Sequence, residues 1–192
     1  MLARAVGTVA ILGFLACPAL QIQAGEAELA AQDLEFAQKA AEGGLMEVQL
    51  GELAQQQAKD EQVVQFGERM VQDHGQANEK LMAIAEQKGI QLPQELPEDA
   101  QQKYDELQQL SDAEFDQTYM DEMVQDHEKD IELFEQQAES GEDPDLRAFA
   151  EESLPTLREH LELAKEVQSQ VTASRGREQK QAASMAMTDP AA

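Results

Sequence analysis

The residues best suited to chemistry in this chain are its three histidines, two of which lie in identical pentapeptides. The sequence MVQDH occupies residues 70–74 and recurs at 123–127, so His74 and His127 have the same local neighbours. The third histidine is His160. Imidazole nitrogens bind iron, copper and zinc, and carboxylate oxygens are common companions in such sites.

Two acidic residues accompany the histidines on the apolar stripes of predicted helices. Glu47 lies near the middle of the first helix, and Asp130 follows His127 by one turn. An acid or an imidazole that points into a core is unfavourable unless it is paired or bound to a metal. The predicted ligands of a copper, iron or zinc ion are Glu47, His74, His127, His160 and Asp130. The alternative is a buried hydrogen-bond network that fixes the register of the helices.

Other catalytic patterns do not account for these residues. The sequence shows no Ser/His/Asp or Cys/His nucleophile pattern, no phosphate-binding glycine loop and no dinucleotide fingerprint. The Glu-x-x-His motif of di-iron carboxylate proteins is also missing, because Val71 and Val124 stand where the motif needs Glu. The aspartates that precede two of the histidines, Asp73 and Asp126, point about 100° away from them and are expected to orient a neighbour or face solvent rather than ligate.

Helices must position the candidate ligands, since Ala, Glu, Gln and Leu dominate a sequence that is only 4% aromatic. Apolar residues recur at spacings of three and four along four stretches, which predict helices at about 30–58, 60–88, 111–140 and 143–174. Ser111 and Glu114 form a capping-box pattern at the start of the third helix. The connector 89–111 contains two prolines and a short amphipathic segment.

The lengths of the connections predict the topology of an all-α fold. Short turns join the first helix to the second and the third to the fourth, so each pair should be antiparallel. The connector 89–111 is long enough to run back along a helix of about 42 Å, which places the second and third helices parallel. This is the ferritin-like four-helix bundle. Because each histidine lies about fifteen residues into its helix, the three should meet at mid-height.

The charge of the chain excludes some classes of partner. There are 39 acidic and 14 basic residues, which give a formal net charge of -25. Binding to nucleic acid or to anionic lipid needs clustered lysine and arginine, so neither is expected. A metal ion is the partner that the sequence favours.

The two ends of the chain differ from its middle. Arg4 precedes an apolar run that ends near Ala24, which predicts a signal peptide over 1–24 and an exported protein without a transmembrane helix in its mature form. Cleavage before Cys17 and lipid attachment there is the alternative. The bundle is predicted over 25–171, and residues 172–192 lack periodicity and are predicted to be a disordered tail.

Several short segments resemble the exported bacterial family known as domain of unknown function 4142, which is grouped with ferritin-like folds. The resemblance covers about residues 33–167. The matching segments are GLMEVQLG at 44–51, the two Asp-His pairs, Phe115-Asp116, Tyr119-Met120 and LPTLREHL at 154–161. It implies a ferritin-like bundle, a periplasmic or outer-membrane-associated location, and characteristic polar positions at Glu47, His74, His127 and His160. It implies no activity.

Three functions follow in order of preference. The first is a cell-envelope protein that buffers or sequesters a transition metal. The second is a ligand-free structural or stress-associated bundle in which the histidines serve packing. An oxidase or peroxidase ranks last, because it needs a redox metal with an open coordination position.

Overall fold

The computed structural model describes residues 29–188, and every regular element within that range is an α-helix. The helices are α1 (Ala31–Gln57), α2 (Glu61–Lys88), α3 (Glu98–Gln108), α4 (Asp112–Ser140) and α5 (Pro144–Thr188). The all-α prediction is therefore confirmed, and the four predicted long helices are α1, α2, α4 and α5. The predicted signal peptide, with Cys17, lies outside the described residues. Among the helices described, none is long and apolar enough to cross a membrane.

Caps at the short turns set where the helices begin. The carboxylate of Asp60 accepts the backbone N–H of Gln62 at 2.9 Å and begins α2. Asp143 accepts the N–H groups of Asp145 and Leu146, both at 3.0 Å, and begins α5. The predicted capping box of α4 is not formed: Ser111 occupies the N-cap, but its side chain makes no capping hydrogen bond.

Two buried aspartates show how the four long helices are oriented. Asp116, near the start of α4, accepts both backbone N–H groups of residues 59–60 in the α1–α2 turn. Asp33, near the start of α1, accepts both N–H groups of residues 142–143 in the α4–α5 turn. The starts of α2 and α4 thus lie at one end of the bundle, and the starts of α1 and α5 at the other. The second and third long helices are parallel, as the connector length predicts.

The hydrogen bonds of Asp33 and Asp116 reveal an internal two-fold relation between the α1–α2 and α4–α5 hairpins. Asp33 and Asp116 are 83 residues apart, and the caps Asp60 and Asp143 have the same separation. Each hairpin therefore supplies an aspartate that holds the turn of the other. Glu47 and Asp130, again 83 residues apart, occupy equivalent places at mid-height.

The apolar core is divided into two clusters by the level of the histidines. The cluster toward the start of α2 and α4 is built on Leu50, Phe66, Met70, Phe115, Tyr119 and Met120. The other, toward the start of α1 and α5, is built on Phe36, Leu81, Phe134, Leu146, Phe149 and Leu157. Burial of this apolar surface is the main stabilising contribution to the fold. The polar site therefore lies between two apolar layers.

α1 and α2 approach each other closely where two glycines face. A Cβ on Gly51 would lie 2.7 Å from the carbonyl oxygen of Gly67, and a Cβ on Gly67 would lie 2.8 Å from that of Gly51. Neither position has room for a side chain. The contact fixes the spacing of α1 and α2 beside the site.

The end of the chain differs from the prediction of a disordered tail over 172–192, because α5 continues to Thr188. Most side chains from 172 to 185 are exposed. The segment lacks an apolar stripe, but packing is not required to extend a helix that already exists. Ala, Gln, Lys and Arg are frequent there and favour helix.

Candidate metal centre

Three helices bring the three histidines together in the middle of the bundle. His74 on α2, His127 on α4 and His160 on α5 each offer one ring nitrogen, and these nitrogens all lie within 4.8 Å of one another. The side chains are almost completely buried, with 7%, 0% and 1% of their surfaces exposed. The convergence predicted from their positions along the helices is confirmed. We call these three residues the His trio.

The backbone of α4 fixes the orientation of His127. Its Nδ1 lies 2.8 Å from the carbonyl oxygen of Met123, one turn earlier in α4. A carbonyl oxygen can only accept, so Nδ1 carries the proton and donates it. Nε2 of the neutral ring is then unprotonated and has a lone pair to offer.

An aspartate from the repeated pentapeptide fixes His160. Nε2 of His160 lies 2.8 Å from Oδ2 of Asp73. Partial burial raises the pKa of Asp73, but hydrogen bonds from His160 and Arg69 outweigh it and lower that pKa below its usual range. Asp73 is therefore an ionised acceptor at neutral pH, and Nε2 of His160 must donate to it. Nδ1 of His160 is left with the lone pair.

Two unprotonated nitrogens of the trio face each other. Nε2 of His127 and Nδ1 of His160 are 3.3 Å apart. Nε2 of His74 is buried and has no hydrogen-bond partner among the residues described. Outer hydrogen bonds thus hold the lone pairs of His127 and His160 toward each other. Two lone pairs at this distance are stabilised by a proton or a cation between them.

Burial keeps the three rings neutral. It lowers the pKa of His160 to about 4, even though the hydrogen bond to Asp73 favours the charged ring. It lowers the pKa of His74 well below the usual value, and the neighbouring imidazoles act in the same direction. Burial also lowers the pKa of His127. At neutral pH the trio therefore offers nitrogen lone pairs rather than imidazolium protons.

Comparison with known proteins gives the family of the chain. The sequence model of the family described as "Domain of unknown function (DUF4142)" matches residues 18–167, most of the chain. The chain belongs to the DUF4142 family. No curated protein matches the DUF4142 chain. All three histidines lie within the matched range.

A solved structure shows the same fold as this DUF4142 domain. It is the crystal structure of a DUF305 fragment from Deinococcus radiodurans, with a TM-score of 0.66 and 13% sequence identity. The alignment covers 74% of the DUF4142 chain and 98% of the fragment. At that identity the likeness concerns the helical fold alone.

Glu47 lies behind His127 rather than among the trio of this DUF4142 domain. Its Oε1 is 3.6 Å from Nδ1 of His127, the nitrogen that donates to Met123. Its Oε2 is buried without a hydrogen-bond partner in the described part of the chain. Burial, assisted by the charge of Asp126, raises the pKa of Glu47 well above its usual value. Glu47 thus borders the trio on the side away from the lone pairs.

Asp130 is also adjacent to the trio but not part of it. Its carboxylate rests on α1, where a Cβ on Gly43 would lie 3.5 Å from Oδ1. Burial, together with the charge of Glu47, raises the pKa of Asp130 to about 7. Among the residues described, no carboxylate joins the group of ring nitrogens that lie within 4.8 Å of one another. The structure therefore brings together three of the five predicted ligands.

The sequence left the roles of the two aspartates in the repeated pentapeptides undecided. The prediction gave Asp73 and Asp126 the same two options, to orient a neighbour or to face solvent. The structure separates them: Asp73 orients His160, whereas Asp126 pairs with Lys129 at 2.9 Å and with Lys103 at 3.5 Å. Their identical pentapeptides carried no signal for this difference.

Proposed function

We propose that this protein binds one transition-metal ion, Zn(II) or Cu(II), through His74, His127 and His160, and buffers or sequesters that metal in the cell envelope. The observation that carries the proposal is the arrangement of the trio: three buried imidazoles within 4.8 Å, two of them held with bare nitrogens facing each other. Imidazole is a favoured ligand of both metals.

The spacing of the nitrogens suits a tetrahedral ion. Zinc–nitrogen bonds of about 2.0–2.1 Å in a tetrahedral site place neighbouring ligand nitrogens about 3.3 Å apart. Nε2 of His127 and Nδ1 of His160 are already 3.3 Å apart. A small movement of His74 would complete the three-nitrogen set, because all three atoms lie within 4.8 Å.

The outer contacts of the trio are those that metal-binding histidines usually make. Such histidines donate the second ring N–H to a carboxylate or a backbone carbonyl, which fixes the tautomer and increases ligand basicity. Asp73 accepts from His160 in this way, and the Met123 carbonyl accepts from His127. The same two contacts leave a ligand-free network without a donor between the two rings. This favours the metal hypothesis over the packing alternative.

Location in the cell envelope is the part of the proposal that rests on the N-terminal sequence. The charged residue, apolar run and small-residue site within residues 1–24 support export and cleavage. N-terminal sequencing of protein recovered from the cell envelope tests it. A start at residue 25 supports export by this signal, a lipid-modified start at Cys17 supports the lipoprotein alternative, and a start at Met1 contradicts both.

The test of metal binding is a titration of apo protein, prepared without an affinity tag, with Zn(II) or Cu(II). We expect a saturable rise of Tm near one equivalent, because a ligand that binds only the folded state stabilises it by mass action. The response should persist at pH 6 and fade as the pH falls toward 4, where protons compete for the imidazoles, because burial lowers their pKa values, that of His160 to about 4. Weak binding to the many surface carboxylates should be neither saturable near one equivalent nor dependent on the histidines.

Variants separate the two hypotheses. His74→Gln should abolish the saturable response and leave the apo fold intact, because Nε2 of His74 has no partner in the described structure to lose. Asp126→Asn changes a residue of the other pentapeptide that pairs with lysines rather than with a histidine, and it should leave the response unchanged. A stable wild-type protein without a saturable response would favour the ligand-free bundle. In that case His127→Ala should lower apo stability by about 1–3 kcal/mol, because it leaves buried partners unsatisfied.

A further inference from the structure

We propose that the metal held by the His trio keeps one coordination position open toward the pocket between α2 and α5, and that a small anion from solvent binds the metal there. The inference rests on the proposed metal site and specifies its ligand. The fourth ligand of the metal would then exchange with solvent, whereas a closed structural site has only protein ligands. Zinc sites with three protein ligands characteristically have this property.

The first step is that the protein supplies no fourth ligand. In the described part of the chain the group of mutually close donor atoms contains the three imidazoles and nothing else. Glu47 lies on the Nδ1 side of His127, which is the side turned away from the lone pairs. Asp130 rests on α1 over Gly43; it lines the same pocket as His74 and His160, but its carboxylate is not among the donor atoms that lie within 4.8 Å of one another. A tetrahedral ion would therefore have one position for a ligand from solvent.

The second step is that a pocket reaches the trio from one face. A cavity of about 330 Å³ between α2 and α5 has His74 and His160 in its wall, whereas His127 lies behind them. On the opposite face a pocket of about 420 Å³ lies under α3, and none of the three imidazoles lines it. His127 is completely buried. The open position must therefore face the α2–α5 pocket.

The third step is the size and polarity of this pocket. A volume of about 330 Å³ corresponds to roughly ten water molecules at about 30 Å³ each, so it admits a small molecule but not a peptide. Asn78 and Thr156 line it, one helical turn from His74 and His160 respectively. Their amide and hydroxyl groups can donate to atoms of a bound ligand that do not contact the metal.

The fourth step is charge. Three neutral imidazoles leave the double positive charge of a divalent ion uncompensated within a largely buried site. Two carboxylates touch the trio, and neither is turned toward the lone pairs: Asp73 is shared between His160 at 2.8 Å and Arg69 at 3.2 Å, and Glu47 lies 3.6 Å from Nδ1 of His127. A small anion that binds the metal directly supplies the missing negative charge. On binding, it displaces a water molecule from the metal, and no bond within the protein changes.

Cobalt(II) substitution with azide as the probe tests this step separately from metal binding. Apo protein loaded with Co(II) should give the visible absorption of a four-coordinate ion, and His74→Gln should lose it. Azide added at fixed ionic strength in a non-coordinating buffer should then shift that absorption saturably. An absent cobalt spectrum would refute the metal site and this inference with it. A normal spectrum that azide does not change would refute the open position alone.

A matched pair of substitutions on α5 tests whether the anion uses this pocket. Thr156→Leu narrows the pocket and removes a hydroxyl, and we expect it to weaken azide binding at least about tenfold, or about 1.4 kcal/mol, with the cobalt spectrum of the azide-free protein unchanged. Thr172→Leu makes the same substitution on an exposed position outside the pocket and should have no effect. Equal azide affinities in the two variants would place the anion elsewhere and overturn the proposal. If Thr156→Leu does not fold, the azide response of the wild-type cobalt protein still decides whether the metal has an open coordination position.

Discussion

Replacement of Asp73 by asparagine should weaken metal binding while leaving the apo protein nearly as stable as before. The ionised Asp73 forces Nε2 of His160 to carry the proton, and this leaves Nδ1 bare. An asparagine amide can donate to Nε2 instead, which allows the ring to change tautomer. Nδ1 of His160 would then donate to Nε2 of His127, only 3.3 Å away. The substitution thus satisfies the apo trio and removes one metal ligand.

The size of the effect follows from the role of Asp73 in orienting a ligand. Loss of such an outer partner lowers metal affinity by about 10–100-fold. At a free metal concentration of about 100 times Kd, the wild-type protein gains about 2.7 kcal/mol on binding; a hundredfold loss reduces this to about 0.4 kcal/mol. At about 2–4 °C per kcal/mol for a domain of this size, a rise in Tm of roughly 8 °C would shrink to roughly 1 °C.

The stability of the apo variant should change by less than about 1 kcal/mol, because two effects oppose each other. A hydrogen bond to a charged acceptor, worth about 1.5–3 kcal/mol, is weakened, and a new imidazole–imidazole hydrogen bond of about 0.5–1.5 kcal/mol forms. Arg69 keeps its second partner, Glu159, at 2.8 Å.

The assay is thermal unfolding followed by circular dichroism, with and without Zn(II), on wild type, Asp73→Asn and Asp126→Asn. The last variant removes the same charge from the same pentapeptide, but Asp126 pairs with Lys103 and Lys129 rather than with a histidine. Its metal response should match the wild type. Nitrogen-15 NMR of the apo proteins reports the tautomer of His160 directly. A full metal response in Asp73→Asn, or a His160 that keeps its proton on Nε2, would refute the tautomer argument.

Three further predictions use four substitutions. Asp130→Asn should stabilise the apo protein above pH 7, because the folded-state pKa of Asp130, about 7, exceeds its unfolded value. The gain should reach up to about 4 kcal/mol for a shift of about three pKa units and should vanish as the pH falls toward 4. An equal gain at pH 8.5 and pH 5 in urea unfolding would contradict this prediction. Gly67→Ala should lower the free energy of unfolding by about 1–3 kcal/mol, because its Cβ would meet the backbone of Gly51. Gly75 has open space around it, so Gly75→Ala should stabilise α2 by up to about 1 kcal/mol. Similar urea midpoints for the two variants would refute the close contact as the cause. Asp116→Ala should cost about 1–3 kcal/mol in the same assay by leaving two turn N–H groups without their acceptor, and an unchanged midpoint would show that water replaces it.

Much of the fold could be predicted because its determinants are local. Caps such as Asp60 and Asp143 and the left-handed Gly89 mark helix ends in the sequence as well as in the structure. The length of the connector fixed the parallel pairing of α2 and α4. That pairing, with the depth of each histidine in its helix, was sufficient to predict the trio.

Features that depend on which side chains meet across helices could not be predicted in the same way. Glu47 lies behind His127 and Asp130 lies over Gly43, so both carboxylates are beside the trio but not on the side of its lone pairs. Helical periodicity assigns a residue to a face, but not to one side of a neighbouring imidazole. The hairpin repeat that pairs Asp33 with Asp116 was present in the sequence as a constant separation, but few identical residues accompany it.

The repeated pentapeptide shows where local sequence stops determining function. Asp73 and Asp126 have identical neighbours, lie on parallel helices and have similar side-chain exposure, 25% and 20%. Asp73 faces α5, where His160 lies at its level; Asp126 faces α3, which supplies Lys103. One carboxylate therefore sets the protonation of a candidate ligand, while the other forms a surface ion pair. The neighbouring helix, rather than the motif, assigns the chemical role, so exchanging Asp for Asn at the two positions should affect metal binding at only one of them.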